Sequence, residues 1–116
     1  MFRELTDRIF VAPQISVEDV GQAAAMGITF ILNNRPEGEE PGQPTGAEIE
    51  AAAQAAGIGY AAVPVTHSGF APWQLDGMAQ AMEQAAQGRL LAYCRSGTRS
   101  TLLWALTRAR AGEDGD

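Results

Sequence analysis

The chain contains a single cysteine, Cys94, and arginines follow it at positions 95 and 99. An apolar run at 90–93 precedes the cysteine and a helical pattern at 101–106 follows it, so the segment is predicted to form a strand, a tight loop and a helix. The backbone N–H groups of such a loop and the helix N-terminus favour negative charge. Arg95 and Arg99 add fixed positive charge. The pattern predicts a thiolate at Cys94, which is the nucleophilic form of cysteine.

The elements that must position this loop follow from apolar runs and turn signals. Ser16 is predicted to cap one helix, and Thr45 with Glu48 forms the capping box of the next. Predicted strands cover 8–12, 28–32, 58–65 and 89–93, and predicted helices cover about 17–26, 46–56, 72–87 and 100–111. Because strands alternate with helices, we expect an α/β fold, with helices on both faces of a four- to five-stranded, mostly parallel sheet.

Sites in such sheets lie at the carboxyl ends of the strands. Three predicted loops leave from that edge, at 33–44, 66–71 and 94–100, and Cys94 lies on the third. This placement supports a functional role for Cys94 independently of the local motif.

Composition limits the classes of function. The 116 residues are 46% hydrophobic, which is enough for one folded domain, predicted at 1–111 with an acidic tail at 112–116. A net charge of −6 argues against nucleic acid as a main partner. No apolar stretch reaches the roughly 20 residues of a membrane span, and no signal peptide is evident, so a cytoplasmic protein without a membrane partner is expected. One cysteine excludes an internal disulfide and a zinc–cysteine cluster.

Four segments together resemble a known family. They are 13–16 (PQIS), 33–44 (NNRPEGEEPGQP), 63–65 (VPV) and 93–100 (YCRSGTRS). The chain is similar, over about Leu5 to Arg108, to the bacterial beta-lactamase-hydrolase-like, phosphatase-like domain family. The resemblance implies a protein-tyrosine/dual-specificity-phosphatase-like fold, and members are described as phosphatase-like or as sulfur transferases. It also suggests an enzyme of sulfide oxidation as a partner.

The length of the cysteine loop bears on the reaction. Cysteine phosphatases use Cys-x5-Arg, in which loop amides and the arginine hold three phosphate oxygens. Here Arg99 is the fifth residue after Cys94 and Ser100 is the sixth, so the ring of amides is smaller. A smaller ring suits a persulfide sulfur or a small oxyanion, and the loop is also close to that of rhodanese-like sulfurtransferases. Gly97 is expected where the backbone needs a positive φ.

The loop at 66–71 also lacks the carboxylate that a phosphatase needs to protonate a poor leaving group, although His67 is a candidate accessory acid. Sulfite, thiolates and persulfides need less protonation. We therefore expect a sulfurtransferase that acts through a Cys94 persulfide on small oxyanion, thiol or persulfide substrates. A phosphatase acting through a phosphocysteine is the alternative, and a non-catalytic oxyanion- or persulfide-binding module is the second alternative.

Each residue of the cysteine loop has an expected role. Cys94 and Arg99 are the predicted catalytic residues, with Arg99 orienting the oxyanion of the donor. The predicted substrate-binding residues are Arg95, Ser96, Gly97, Thr98 and Ser100, and Ser100 is expected to donate a hydrogen bond to the thiolate.

Outside the cysteine loop, Arg35 follows a buried strand at the same edge. Its expected role is to pair with Glu37, Glu39 or Glu40, and it is a candidate accessory residue. No histidine lies near those glutamates in the sequence, so neither a metal nor a cofactor is predicted.

Overall fold

The computed structural model describes residues 2–66 and 68–115 as five strands and four helices. The strands are Arg3–Glu4 (β1), Ile9–Ala12 (β2), Ile28–Asn33 (β3), Gly59–Ala62 (β4) and Arg89–Tyr93 (β5). The helices are Val17–Ala25 (α1), Gly46–Ala55 (α2), Pro72–Gln84 (α3) and Thr98–Gly115 (α4). No helix in the described part of the chain is long and apolar enough to cross a membrane.

The strands form one sheet in the order β1-β2-β5-β3-β4. β2, β5, β3 and β4 are parallel, and β1 pairs antiparallel with β2 at one edge. The carboxyl ends of the four parallel strands therefore meet at one edge of the sheet, where their registers align Ala12 with Tyr93, Tyr93 with Asn33 and Asn33 with Ala62. The predicted α/β fold with a mostly parallel sheet is confirmed.

Helices cover both faces of the sheet. α1 and α2 pack on one face, where Ile31, Leu91 and Tyr93 point. α3 and α4 pack on the other face, against Leu32, Leu90 and Ala92. Because β5 lies between β2 and β3 and both of its faces are covered, the side chains from Leu90 to Tyr93 are at most 1% exposed. The strand that leads to the cysteine is the most enclosed part of the sheet.

Capping residues set the starts of two helices as predicted. Ser16 accepts a hydrogen bond from the Asp19 N–H, and Thr45 accepts one from the Glu48 N–H. In both helices the acidic side chain accepts a hydrogen bond from the N–H of the capping residue. Each pair of reciprocal bonds satisfies two of the donors that a helix start leaves without partners.

Other boundaries differ from the sequence prediction. The two-residue strand β1 was missed, because two residues carry no detectable alternation. β4 stops at Ala62 rather than at residue 65, since Pro64 has no N–H for the ladder. α3 ends three residues before 87. α4 begins two residues before Ser100 and reaches Gly115, so the helix extends into the segment that we expected to be an acidic tail, and the domain boundary itself stays a prediction.

Because β5 is central in the sheet, the same substitution should lower the free energy of unfolding more at a leucine of β5 than at an exposed leucine. Leu91→Ala removes a side chain that is 0% exposed and should lower the free energy of unfolding by about 2–5 kcal/mol. Leu106→Ala, at a position that is 42% exposed, should cost less than about 1 kcal/mol. Urea unfolding of the two variants measures the difference, and equal costs would contradict the placement of β5.

Candidate active site

Cys94 follows β5 directly, and its side chain is buried. The Gly97 N–H donates to Cys94 Sγ at 3.1 Å, so the loop curls back over the sulfur. Gly97 adopts a φ of +92°, and a Cβ at this position would lie 3.5 Å from the Ala12 carbonyl. The positive φ favours glycine here, as the sequence predicted, whereas a Cβ at that distance from Ala12 would make only an ordinary contact. One backbone donor is thus aimed at the candidate nucleophile.

Arg95, Ser96 and Thr98 are exposed residues of the same loop. The Ser96 hydroxyl donates to Thr98 Oγ1 at 3.1 Å and accepts from the Thr98 N–H at 3.4 Å. Arg95 is exposed, and its Nη2 lies 3.6 Å from Glu40 Oε2. All three were predicted to bind substrate, and that role stays a prediction.

Arg99 lies in the first turn of α4, and its guanidinium group is held by two loops. Nη1 donates to the Val65 carbonyl at 2.6 Å and to Glu39 Oε2 at 2.8 Å, and Nη2 donates to Glu39 Oε1 at 2.9 Å. This is a bidentate arginine–carboxylate pair, the geometry with which arginine also holds oxyanions. The hydrogen bonds to Glu39 raise the pKa of Arg99, and a negative charge at Cys94 would act in the same direction.

Arg35 anchors the loop that carries Glu39. Its side chain is 2% exposed, and it donates from Nε to Glu39 Oε1 at 2.9 Å, from Nη2 to Glu40 Oε1 at 2.7 Å and from Nη1 to Gln14 Oε1 at 3.1 Å. A buried charge is tolerated only when it is paired and hydrogen-bonded, and Arg35 meets this condition. The expected pairing of Arg35 is found with Glu39 and Glu40, whereas Glu37 accepts from the Gly46 N–H at the start of α2.

We use the term arginine–glutamate cluster for Arg35, Arg95, Arg99, Glu39 and Glu40. Hydrogen bonds from Arg99, reinforced by Arg35, lower the pKa of Glu39 to about 2. Hydrogen bonding to Arg35 and the charge of Arg95 lower the pKa of Glu40 as well. Both carboxylates are therefore ionised at neutral pH, and neither can donate a proton there.

Ser100 differs from its expected role. It is fully buried, and its hydroxyl donates to Asn34 Oδ1 at 2.9 Å rather than to the cysteine sulfur. The Asn34 amide nitrogen in turn donates to the Val63 carbonyl at 2.9 Å, which leaves Oδ1 to act as the acceptor. The single proton of the hydroxyl is thus used to tie α4 to the loops that follow β3 and β4.

Two residues and one pairing of this site were not predicted from the sequence. It did not assign Asn34 or Gln14 a role, and it did not pair Glu39 with Arg99. Asn34 is a polar residue that directly follows a buried strand, and this position could have indicated a role at the site. The contact between Glu39 and Arg99 joins positions 60 residues apart and leaves no local pattern.

Two groups outside the arginine–glutamate cluster bear on the supply of a proton. His67 lies outside the described residues. Asp76 lies within α3 and pairs with Arg110 at 3.0 Å, and Arg110 is about 18 Å along α4 from the first residue of that helix. Among residues 2–66 and 68–115, no group of three or more His, Cys, Asp or Glu side chains is placed to hold a metal ion.

Solved structures share this architecture. A provisionally assigned phosphatase from Neisseria meningitidis matches with a TM-score of 0.79 and 34% identity, covering 97% of this chain and 78% of that one. The structure of P. aeruginosa TpbA in complex with pTyr matches with a TM-score of 0.69 over 92% of this chain and 61% of that one. Its 12% identity shows the fold alone, and that fold is of the protein-tyrosine-phosphatase type, as the resemblance implied.

Sequence comparison identifies the family. The beta-lactamase hydrolase-like protein of Agrobacterium fabrum is 35% identical over 108 residues, which is 93% of this chain and 25% of that protein. The chain thus spans about a quarter of the length of the curated relatives it matches. A family model, described as the phosphatase-like domain of the beta-lactamase hydrolase-like protein, matches residues 1–111. The family name and these structural relatives favour phosphatase chemistry over sulfur transfer, and the chain belongs to the beta-lactamase hydrolase-like, phosphatase-like domain family.

Proposed function

We propose that the domain is a cysteine-dependent transferase in which Cys94 accepts a sulfane sulfur and passes it on as a persulfide. The observation that carries this proposal is the state of the carboxylates beside the cysteine loop. Glu39 and Glu40 are both held ionised by arginines, so neither can protonate a leaving group. Sulfite and thiolates leave without that help, whereas alkoxides do not.

Two balanced steps describe the reaction with thiosulfate. The Cys94 thiolate attacks the outer sulfur of thiosulfate, a bond forms between that sulfur and Sγ, and the sulfur–sulfur bond of thiosulfate breaks as sulfite leaves with the electron pair. An acceptor such as cyanide then attacks the outer sulfur of the persulfide. The bond to Sγ breaks, thiocyanate leaves, and the thiolate is restored.

The loop residues have distinct parts in this proposal. The Gly97 N–H, 3.1 Å from Sγ, stabilises negative charge on the sulfur. Arg99 binds the oxyanion of the donor, and Arg95 raises the positive potential at the mouth of the site. The Cys-x4-Arg spacing, one residue shorter than in cysteine phosphatases, supports a small transferred group.

A phosphatase is the second candidate, and the family name and the phosphatase structures favour it. In that case Cys94 would attack phosphorus, displace an alcohol or phenol and form a phosphocysteine that water hydrolyses. With Glu39 and Glu40 ionised, neither carboxylate would protonate the leaving group in this chemistry. Aryl phosphates with acidic phenols are the appropriate test substrates.

A paired assay separates the two candidates. The purified protein is incubated with cyanide and either glutathione persulfide or thiosulfate while thiocyanate is measured, and in parallel with p-nitrophenyl phosphate. We expect thiocyanate formation that Cys94→Ser abolishes, with little phosphate release. Phosphate release that depends on Cys94, without thiocyanate formation, would overturn the sulfurtransferase. The absence of both activities would favour a binding module.

The ionised state of Glu39 has its own test in the pH dependence of stability. The folded-state pKa of about 2 lies below the ordinary value of 4.5, so the Glu39 pairing stabilises the fold above about pH 4.5 and loses this effect as the pH falls toward 2. Glu39→Gln should therefore be less stable than the wild type at about pH 6, and the difference should shrink at about pH 3. Urea unfolding at both pH values measures it, and a constant difference would contradict the assignment.

A further inference from the structure

The oxyanion-binding edge of Arg99 is occupied by a side chain of the protein itself. Glu39 accepts from both terminal nitrogens of Arg99, at 2.8 and 2.9 Å. A carboxylate bound in this way presents two oxygens to the guanidinium group, as a sulfonate or phosphate would. A donor oxyanion and Glu39 therefore compete for the same two donors.

Arg99 does not depend on Glu39 for its position. Nη1 also donates to the Val65 carbonyl at 2.6 Å, and the backbone of Arg99 belongs to α4. When Glu39 withdraws, the guanidinium group keeps this anchor. The contact with Glu39 is therefore not needed to hold the arginine in place. For this reason we treat Glu39 as a competitor for the donors of Arg99 and not as a residue that positions Arg99.

Glu39 has a second cation to which it can remain bound. Its Oε1 accepts from Arg35 Nε at 2.9 Å, and Arg35 is itself buried and fixed by Gln14 and Glu40. On leaving Arg99, the Glu39 carboxylate would keep this charge partner, so the cost of displacement is limited to the Arg99 bonds. Arg35 and Arg99 together give the Glu39 carboxylate two alternative sets of partners.

We propose that Glu39 is a specificity-determining residue that disfavours oxyanion donors. The inference rests on the oxyanion-binding role assigned to Arg99 under the proposed function. A donor such as thiosulfate must displace Glu39 from Arg99 to bind, whereas a persulfide whose transferable sulfur carries no oxyanion need not. The preferred substrate class is therefore a low-molecular-weight persulfide, and thiosulfate is the poorer donor.

Binding of inorganic sulfate tests the competition without requiring turnover. In a Cys94→Ser background, the Glu39→Gln variant is titrated with sulfate by calorimetry. Glutamine keeps one oxygen for Arg35 but carries no charge and cannot hold both nitrogens of Arg99 as a carboxylate does. We expect sulfate to bind at least about tenfold more tightly than to Cys94→Ser alone, since a charge-assisted pair no longer competes.

Glu40→Gln in the same background is the matched control. It removes one negative charge from the same loop, but Glu40 pairs with Arg35 and Arg95 and not with Arg99. A similar gain in both variants would show a general effect of charge and overturn the inference. Unchanged, weaker or undetectable sulfate binding by Glu39→Gln would overturn it too, and weaker binding would assign Glu39 a positioning role.

A second variant and a kinetic measurement complete the test. If Glu39→Gln does not fold, Glu39→Asp retains the charge for Arg35 but is one carbon shorter, and it should also bind sulfate more tightly than the parent. In the active protein, Glu39→Gln should lower the KM for thiosulfate more than the KM for glutathione persulfide. Tighter sulfate binding without any sulfur transfer would uphold the role of Glu39 while the proposed function fails.

Discussion

Strand β5 has a strand on each side and helices over both faces, and this enclosure determines where Cys94 can lie. Since Leu90 to Tyr93 are almost wholly buried, the residue that follows them must emerge at the carboxyl edge of the sheet. The same edge receives the ends of β2, β3 and β4, so loops distant in sequence meet there. Asn34 and Ser100 reinforce the convergence through a buried hydrogen bond. The position of the cysteine is thus a consequence of core packing.

At this edge, the electrostatics of the arginine–glutamate cluster constrain the chemistry. Arg35, Arg95 and Arg99 bring three positive charges to the cluster, and Glu39 and Glu40 pair with them and remain ionised. The scaffold is that of cysteine phosphatases, yet the carboxylates within reach are acceptors of hydrogen bonds and not proton donors. A shared fold does not determine the reaction, because reaction type depends on the groups placed at the site.

The fold and the cysteine loop could be predicted from sequence because their signals are local. Ser16, Thr45 and Gly97 each mark a capping or turn geometry within a few residues. The network around the loop could not be predicted, since Glu39 meets Arg99 and Asn34 meets Ser100 only through the folding of the sheet. The expected bond from Ser100 to the thiolate was wrong for the same reason. The sequence does not reveal that Asn34 competes for the Ser100 proton.

The role of Cys94 as a sulfur carrier is tested most directly by intact-protein mass spectrometry after incubation with glutathione persulfide and removal of excess donor. We expect one added sulfur atom per chain, located at Cys94 by peptide mapping, lost on treatment with cyanide and absent from Cys94→Ser. An unmodified Cys94 after exposure to both glutathione persulfide and thiosulfate would contradict the central claim that this cysteine carries sulfur.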